Sequence, residues 1–312
     1  MSTTTHVSIP TTPHTTPRPR TVESVHGGGE LHWVGDGFRV HTLVPSGGLR
    51  QERTSPFLLL DYHPPFAYPA LDKGQRGVGW HPHRGFETVT LSFEGSVAHR
   101  DNAGHAGVIG PGDVQWMTAA SGILHEEYHE PGFSRRGGTF HMLQLWVNLP
   151  RKDKMSPPGY QPITKEQIPV VPVQAGGAVT DDSKVRVIAG GYGEAKGPAR
   201  TFTPITLLEV KVRAGERFEL PLPSNHNALV LVTRGRVSAD AEMVRGGELA
   251  VFANDGDSLS LRAEEDTHLV VLAGEPIREP IAHTGPFVMN NHREIIQAIY
   301  DFESGAFGEI PR

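Results

Sequence analysis

Glycine and proline interrupt this chain at short intervals along most of its length. They number 36 and 26 among 312 residues, about a fifth of the chain against roughly 12% in an average protein. Neither residue suits the interior of a long helix, because glycine costs backbone entropy and proline lacks an amide hydrogen. The composition therefore favours a globular chain of many short strands joined by turns.

Short segments with the length and residue pattern of β-strands recur in two groups. A charged, proline-containing stretch over 151–172 separates the groups. The predicted strands are 38–44, 57–62, 87–93, 114–118 and 141–149 in the first group, and 184–189, 205–212, 228–233, 249–253 and 268–272 in the second. Strands at this spacing with glycine turns between them predict barrels or sandwiches.

The two groups contain a short internal repeat. When Gly95 is aligned with Gly235, one strand–glycine–strand segment lies on another, and Gly112 then aligns with Gly247 after a shorter loop. Two similar β-units agree with a typical domain length of roughly 150 residues. At the end of the chain, 291–312 is expected to form a helix and tail, with Asn291 as the N-cap and an apolar face of isoleucines and Phe302.

Composition and charge argue against several classes of function. With no cysteine, the chain has no disulfide framework, thiolate zinc site, iron–sulfur cluster or cysteine nucleophile. The net charge of −6 and the absence of a basic stripe disfavour direct binding to nucleic acid. No run approaches the roughly 18–20 apolar residues of a membrane span, and residues 1–21 predict a disordered Thr/Pro-rich tail rather than an export signal. The expected compartment is the cytoplasm.

The strongest chemical signal is a His-x-His motif at 81–83 followed by a His-x-Glu motif at 125–127. Alternate residues of a strand project to the same face, so each pair can point at one metal ion. Imidazole suits iron, zinc, copper and nickel, and three imidazoles with one carboxylate leave a coordination position open for water, O2 or a substrate. Glu87 has the same parity as His81 and His83, but it is expected to be an inward, hydrogen-bonded carboxylate rather than a ligand.

Other histidines are not expected to bind the metal directly. A single histidine in a strand or loop is more often structural than a ligand, and none of the others forms a comparable pair. They are His63, His99, His105, His129 and His141 in the first half and His226 and His268 in the second. Of these, His141 begins a predicted strand and is a candidate for a position just behind the ligands.

Several long motifs resemble those of the pirin family, within the cupin superfamily. They are Trp80–Val89, Pro111–Ala119, Gly122–Glu127, Leu143–Leu149, Ala273–Pro280 and Gly285–Asn290. The resemblance covers about 22–302 in the family's order. It implies an all-β chain of two tandem jelly-roll-type cupin barrels with a short C-terminal helix: a metal-binding domain over 22–155, a linker over 156–172 and a degenerate cupin domain over 173–290.

The resemblance also implies a ligand set for one divalent metal ion. The ligands are His81, His83, His125 and Glu127. Iron, as Fe(II), is the family's usual assignment, and other divalent metals are tolerated. In the second half, the rough repeat places the first histidine pair on Pro221 and Pro223 and the second motif near Ser260 and Arg262. That half is therefore expected to bind no metal.

Two functions share this site. The first is a dioxygenase that cleaves flavonols such as quercetin with O2 to a depside and carbon monoxide, as the resemblance implies, with Glu127 as the base that accepts the proton of the 3-hydroxyl. The second is a redox- or metal-responsive regulator that binds a protein partner and resembles a transcription cofactor. For the enzyme, a flat aromatic pocket is expected, with candidate wall residues Trp80, Phe86, Trp116, Met117 and Ile123, and Trp116 foremost.

Overall fold

The computed structural model describes residues 17–175 and 178–311. Most of the expected N-terminal tail, residues 1–16, lies outside the described residues. Within them, the chain is mostly β-strand with three helices. No described helix has the length and apolar character needed to cross a membrane.

The helices are α1 (Gln51–Thr54), α2 (Pro131–Arg136) and α3 (His292–Glu303). The strands that precede residue 150 are β1 (Val22–Gly27), β2 (His32–Val34), β3 (Phe38–Val44), β4 (Phe57–Tyr68), β5 (Gly77–His83), β6 (Phe86–Glu94), β7 (Val97–Asp101), β8 (Ala106–Ile109), β9 (Val114–Thr118), β10 (Ile123–His129) and β11 (Gly138–Asn148). The later strands are β12 (Gly159–Ile163), β13 (Val170–Ala175), β14 (Ala178–Ala189), β15 (Gly191–Tyr192), β16 (Ala195–Lys196), β17 (Ile205–Val212), β18 (Arg217–Pro221), β19 (Asn227–Arg234), β20 (Arg236–Ala239), β21 (Glu242–Arg245), β22 (Glu248–Phe252), β23 (Ser258–Ala263), β24 (Thr267–Gly274), β25 (Ala282–Thr284) and β26 (Phe287–Met289).

Two barrels are built on one plan. The first combines a seven-stranded sheet, in the order β12-β9-β6-β11-β4-β3-β2, with a four-stranded sheet, β5-β10-β7-β8. The second combines β1-β22-β19-β24-β17-β14-β13 with β18-β23-β20-β21. Each strand of one barrel thus has a counterpart in the other, and the all-β, two-cupin architecture expected from the sequence is confirmed.

One edge strand of each large sheet comes from the part of the chain that mainly forms the other barrel. β1 pairs with β22 of the second barrel, and β12 takes the corresponding place beside β9 of the first. β12 and the first residues of β13 also lie within 156–172, the range expected to be a linker. Neither barrel is therefore one continuous piece of chain, and the domain boundaries stay a prediction.

The glycine repeat coincides with this shared plan. Gly95 joins β6 to β7 with φ 79°, and Gly235 joins β19 to β20 with φ 83°. A Cβ atom would lie 2.5 Å from the Phe140 ring at Gly95 and 2.6 Å from the Asp266 carbonyl oxygen at Gly235. Both positions therefore require glycine, because the left-handed backbone and the close contact each exclude a side chain.

The predicted strands are all present, and the largest differences in length are at 184–189, which begins at Ala178, and at 57–62, which continues past a proline pair. Strands β3, β9 and β17 have the predicted bounds, whereas β4 continues past Pro64 and Pro65 to Tyr68. The pairing with β11 shifts between Phe140 and Met142, so the prolines occupy a bulge. A bulge tolerates proline because some of its amides do not join the ladder.

The two seven-stranded sheets pack against each other through a shared apolar core. Val89 and Leu145 of the first barrel belong to the same buried cluster as Leu229 and Leu272 of the second. A central strand of either large sheet, such as β6 or β24, therefore has two buried faces, one toward its own barrel interior and one toward the other barrel. This arrangement decides which residues can reach the site.

The C-terminal helix packs beside the first barrel. The Asn291 side chain accepts a hydrogen bond from the Glu294 amide, so the predicted N-cap is confirmed. Ile295 is buried and packs in one cluster with Leu124 and Phe307, but Ile296 is 67% exposed. The apolar face is therefore narrower than the sequence pattern suggested.

Candidate metal centre

The small sheet of the first barrel brings the two predicted motifs side by side. His125 on β10 lies opposite His81 on β5, and His83 lies opposite Ile123. On its other side, β10 pairs with β7, where His99 lies opposite Glu127. Antiparallel pairing therefore converts two motifs about forty residues apart into neighbours on one surface.

Three of the four predicted ligands form one cluster. The His81, His83 and His125 ring centroids lie 4.2 to 4.9 Å apart, and one ligand nitrogen from each lies within 4.8 Å of the others. Nitrogens that share an ion at about 2.1 Å lie at most about 4.2 Å apart. Small side-chain movements are therefore enough to bring the three nitrogens onto one ion.

The hydrogen bonds of these histidines fit a metal. His81 Nδ1 donates to the Gly79 carbonyl at 2.8 Å, which leaves Nε2 with its lone pair. His83 Nδ1 and His125 Nε2 are buried and have no hydrogen-bond partner. Burial holds the pKa of His83 and of His125 well below its usual range. These neutral rings, each with an unused nitrogen, suit coordination, since a ligand imidazole must be unprotonated.

Glu127 belongs to a second, overlapping cluster. It groups with His99 and His125, again with ligand atoms within 4.8 Å of one another. His125 is thus common to both clusters, while Glu127 lies nearer His99 than the sequence analysis anticipated. The structure brings the predicted ligands to one region and adds a histidine to it.

Two glutamine amides hold the Glu127 carboxylate. Gln115 Nε2 donates to Oε1 at 3.4 Å, and Gln144 Nε2 donates to Oε2 at 3.1 Å. Gln115 lies on β9 and Gln144 on β11, so both amides come from the large sheet and reach across the barrel. Each carboxylate oxygen keeps a lone pair for a metal ion or a proton.

A buried relay behind His125 sets the orientation of that ring. Asp101 accepts from His105 Nδ1 at 3.0 Å and lies 3.5 Å from His99 Nε2, which assigns the proton of His99 to Nε2. His99 Nδ1 can then accept from His125 Nδ1, 3.4 Å away. His125 therefore presents the lone pair of Nε2, as expected when a carboxylate orients a ligand histidine through hydrogen bonds.

Several of these residues had no role predicted from the sequence. His99 was expected to be structural, and Gln115 and Gln144 were noted only as parts of motifs. Tyr160 on β12 was also missed; its ring stacks on His99 with centroids 5.0 Å apart. The available signal was the alternation of His99 and Asp101, which puts both side chains on one face of β7.

Two other expectations have different outcomes. Glu87 is in neither cluster and accepts a hydrogen bond from Thr118 Oγ1 at 2.7 Å. It does not face the barrel interior as expected, because it shares a face of β6 with Val89 and Leu91, which lie in the core between the barrels. Burial raises its pKa to about 7, although the Thr118 hydrogen bond acts in the opposite direction. The prediction that Trp116 forms the pocket wall was wrong, because its ring belongs to the apolar core between the barrels.

Aromatic rings do flank one side of the cluster. Phe86 lies 5.1 Å and Trp146 lies 5.3 Å from the His83 ring, centroid to centroid, and the two rings lie 4.3 Å from each other. Met117 and Ile123 pack with Tyr160 in a small cluster on another side. Trp80 is partly buried under the Arg100 guanidinium. Trp146, which was not among the predicted wall residues, therefore joins Phe86 in forming an aromatic wall beside His83.

The second barrel has leucines at the places of the ligands. Its strand pairing puts Leu220 opposite Leu259 where His81 lies opposite His125, and Leu261 corresponds to Glu127. The rough repeat had been displaced by one residue, onto Pro221, Ser260 and their neighbours, and one residue moves a side chain to the other face of a strand. Among the described residues, both groups of three potential ligands lie in the first barrel.

Family models match both halves of the chain. The model described as pirin matches residues 37–147, and the model described as the pirin C-terminal cupin domain matches residues 207–308. The first match includes His81, His83, His125 and Glu127, and the second includes the leucines at the corresponding places.

Individual relatives agree with the family models. A Pseudomonas aeruginosa protein named "Putative quercetin 2,3-dioxygenase" is 50% identical over 92% of this chain and 98% of its own length. Human pirin is 38% identical over 88% of this chain and 89% of its own. A crystal structure of quercetin 2,3-dioxygenase from Acinetobacter baumannii is 45% identical, covers 94% of this chain and 100% of its own, and has a TM-score of 0.88. With two barrels of one plan, a histidine–carboxylate centre in the first and family models matching both, the chain belongs to the pirin family.

Proposed function

We propose that this protein is a metal-dependent dioxygenase that cleaves flavonols such as quercetin with O2, giving a depside and carbon monoxide. The observation that carries the proposal is the cluster of His81, His83 and His125, with unused ring nitrogens, beside the Glu127 carboxylate. The relative and the solved structure named for quercetin 2,3-dioxygenase support this substrate class.

We propose that the ligands are His81, His83, His125 and Glu127 and that the metal is Fe(II), with other divalent ions tolerated. When bound by these residues, the ion would act as a Lewis acid and lower the pKa of a coordinated phenol. His125 is the member shared by both clusters, so a modest rotation of Glu127 toward His125 would complete the set. The Asp101–His99 relay keeps the His125 lone pair directed at the centre.

Glu127 is the candidate base. The flavonol 3-hydroxyl must lose a proton before its ring is electron-rich enough to react with O2. A carboxylate oxygen of Glu127 can accept that proton, because Gln115 and Gln144 fix the group but use only one lone pair of each oxygen. A base held in this way needs little reorganisation during the transfer.

The surroundings of the centre favour a flat, apolar substrate. Phe86 is fully buried, and it and Trp146 form an aromatic wall beside His83. Such a wall would pack against an aromatic ring and exclude water from the reacting face.

The test is the release of carbon monoxide. The protein is loaded with Fe(II) without oxygen, quercetin is added, O2 is admitted, and carbon monoxide and the depside are quantified together with iron per chain. His83→Ala should lose both iron and carbon monoxide release. Glu127→Gln retains the size and the hydrogen-bonding shape of the side chain but is a far weaker base, and it should form much less carbon monoxide per bound iron.

His292→Ala is the matched control, because it removes an exposed histidine at the start of α3. This variant should match the wild type in iron content and in carbon monoxide. An iron-loaded wild type that releases no carbon monoxide from quercetin would overturn flavonol cleavage. The regulator that binds a protein partner would then become the better hypothesis for this site.

A further inference from the structure

The contact between the two barrels changes from apolar to polar at one end. On β24, Val270 and Leu272 lie in the shared core, whereas His268 on the same face lies beyond it. On β17, Leu207 lies in that core and Glu209 and Lys211 follow on the same face. At this end a cavity of about 670 Å³ opens between the barrels.

The cavity has an aromatic wall from the first barrel. The Phe93 ring lies between His141 and His268, with centroid distances of 4.7 and 5.1 Å. Tyr62 anchors His141 from behind, its hydroxyl 3.1 Å from His141 Nε2. Burial lowers the pKa of His141 to about 3, so this ring is neutral and contributes apolar surface to the wall.

The buried acid of the cavity is already neutralised. Glu209 accepts from His268 Nε2 at 2.9 Å and forms an ion pair with Arg186, which also donates to the Gly112 carbonyl of the first barrel. Burial alone would raise the pKa of Glu209, but the hydrogen bond from His268 and the charge of Arg186 outweigh it and lower the pKa to about 2. This pair therefore has no charge left to offer a ligand.

The other cations of the cavity lack such partners. Lys211 lies directly opposite Lys184 across β14 and β17, a like-charge pair that destabilises a sheet. Among the described residues, no acidic side chain lies within ion-pair distance of Lys211 or Arg234, and both are exposed. Lys165 also lines the cavity, and among the described residues its ammonium forms an ion pair with the exposed Glu166, at 3.9 Å.

Charge complementarity identifies the ligand class. Basic side chains outnumber acidic ones four to two in the lining, although the whole chain carries a net charge of −6. A concave positive region with low-dielectric walls concentrates anions, and an apolar wall favours a ligand with an apolar body. We propose that this inter-barrel cavity binds a small organic anion, with its carboxylate against Lys211 and Arg234 and a planar apolar body against Phe93.

This binding site is separate from the proposed metal centre. Phe93 is near the end of β6, whereas His83 precedes its start. The Phe86 ring lies 5.1 Å from His83, and the seven residues from Phe86 to Phe93 span about 23 Å along the strand at about 3.3 Å per residue. The inference therefore stands whether or not the metal centre cleaves flavonols.

Calorimetric titration of the full chain with benzoate tests the site, with benzamide as the neutral probe of the same shape. Benzoate should bind one to one, and benzamide should bind at least about tenfold more weakly, because charge-assisted hydrogen bonds would be lost. Lys211→Gln/Arg234→Gln should weaken benzoate at least about tenfold. Lys196→Gln/Arg217→Gln is the matched control, since it removes the same charges from exposed positions outside the cavity lining and should leave benzoate binding unchanged.

Three results would overturn the proposal. Benzoate that fails to saturate would show that no site exists. Binding that survives Lys211→Gln/Arg234→Gln would place benzoate elsewhere, including at the metal. Inorganic phosphate that binds as tightly as benzoate would show that Phe93 does not contribute to binding. Weaker binding of phosphate, together with weaker binding of benzoate to Phe93→Ala, would support its role.

Discussion

The two barrels share a strand plan but have opposite interiors. One row of paired residues crosses the large sheet of each barrel on its inner face. In the first barrel the row is Gln115, Thr90, Gln144, Asp61 and Thr42, and in the second it is Ala250, Val230, Val271, Leu208 and Val187. Each polar residue thus has an apolar counterpart, and all five counterparts lie in one buried cluster.

The difference shows what the first barrel gains from its polar row. Gln115 and Gln144 hold Glu127, and Thr42 donates to Asp61 at 2.6 Å. A buried polar group is costly unless it is hydrogen-bonded, so this interior is organised to position a carboxylate beside histidines. The second barrel has only packing to optimise, and its apolar interior supplies a rigid partner for the shared core.

The largest expected effect comes from replacing a ligand of the first barrel by the leucine that the second barrel has at the corresponding place. His83→Leu introduces the residue found at the corresponding place, Leu222. Because one of three clustered imidazoles is lost, we expect iron binding to fail and carbon monoxide release from quercetin to fall by at least about a thousandfold, or about 4 kcal/mol. The iron content and the carbon monoxide released per chain measure both losses. The control variant Leu222→His, in the second barrel, should acquire no iron. Full iron occupancy in His83→Leu would contradict the assignment of His83 as a ligand.

The reverse exchange tests the apolar interior. Leu261→Glu places a carboxylate at the counterpart of Glu127, in a buried cluster of aliphatic and aromatic side chains. We expect it to lower the free energy of unfolding by about 4 kcal/mol, since an unpaired buried charge is strongly destabilising. Urea denaturation measures the loss, and Leu261→Met, which conserves volume, should cost less than about 1.5 kcal/mol. A cost below 1 kcal/mol for the glutamate would mean that water reaches this interior.

A third comparison sets Glu87 against its counterpart Asn227, a neutral amide that donates to the Glu52 and Ser55 carbonyls. Burial raises the pKa of Glu87 to about 7, above an unfolded value of about 4.3. Between these pH values the folded chain holds more protons than the unfolded chain, so its stability falls as pH rises. Relative to Glu87→Gln, the wild type should therefore lose up to about 3 kcal/mol between pH 4.5 and pH 7.5.

Urea denaturation of both proteins at several pH values isolates the contribution of Glu87, because the other groups titrate alike in each. The difference between wild type and Glu87→Gln should be small at pH 4.5 and large at pH 7.5. A difference that does not change with pH would show that Glu87 is solvated.

The smallest expected effect concerns the support of Glu127. Gln144→Val introduces the residue of the second barrel, Val271, and removes the amide that donates to Glu127 Oε2. Residues that orient metal ligands typically contribute about 10- to 100-fold to affinity or activity, so we expect a loss of about 1.4–2.7 kcal/mol in iron binding or in carbon monoxide formation. Competition with a chelator measures the affinity. Gln75→Val, at an exposed loop position, is the control; equal losses in the two variants would argue against the role of Gln144.

Strand patterns and glycine turns predicted most of the fold. Local residue patterns predicted the bounds of β3, β9 and β17 and the glycine-centred repeat. Strand alternation and left-handed turns both depend on residues that are close together in the sequence. The continuation of β4 through Pro64 and Pro65 was missed, since a bulge depends on how the partner strand is paired.

The site was predicted as far as residues within one strand could indicate it. His81 and His83 lie on one strand, so their common direction follows from alternation. The predicted location of Trp116 in the pocket wall was wrong because both faces of β9 are buried, one inside the barrel and one between the barrels. Alternation separates two such faces but does not say which one faces the site.

The sequence by itself determined the all-β character, the two-barrel repeat and the two motifs that supply the candidate ligands, since each depends on residues close together in the chain. Only the tertiary structure decided that His99 joins His125 and Glu127, that amides from β9 and β11 hold the carboxylate, and that leucines replace the ligands in the second barrel. These facts depend on the register between strands far apart in sequence, and a shift of one residue would reverse every side chain on a strand.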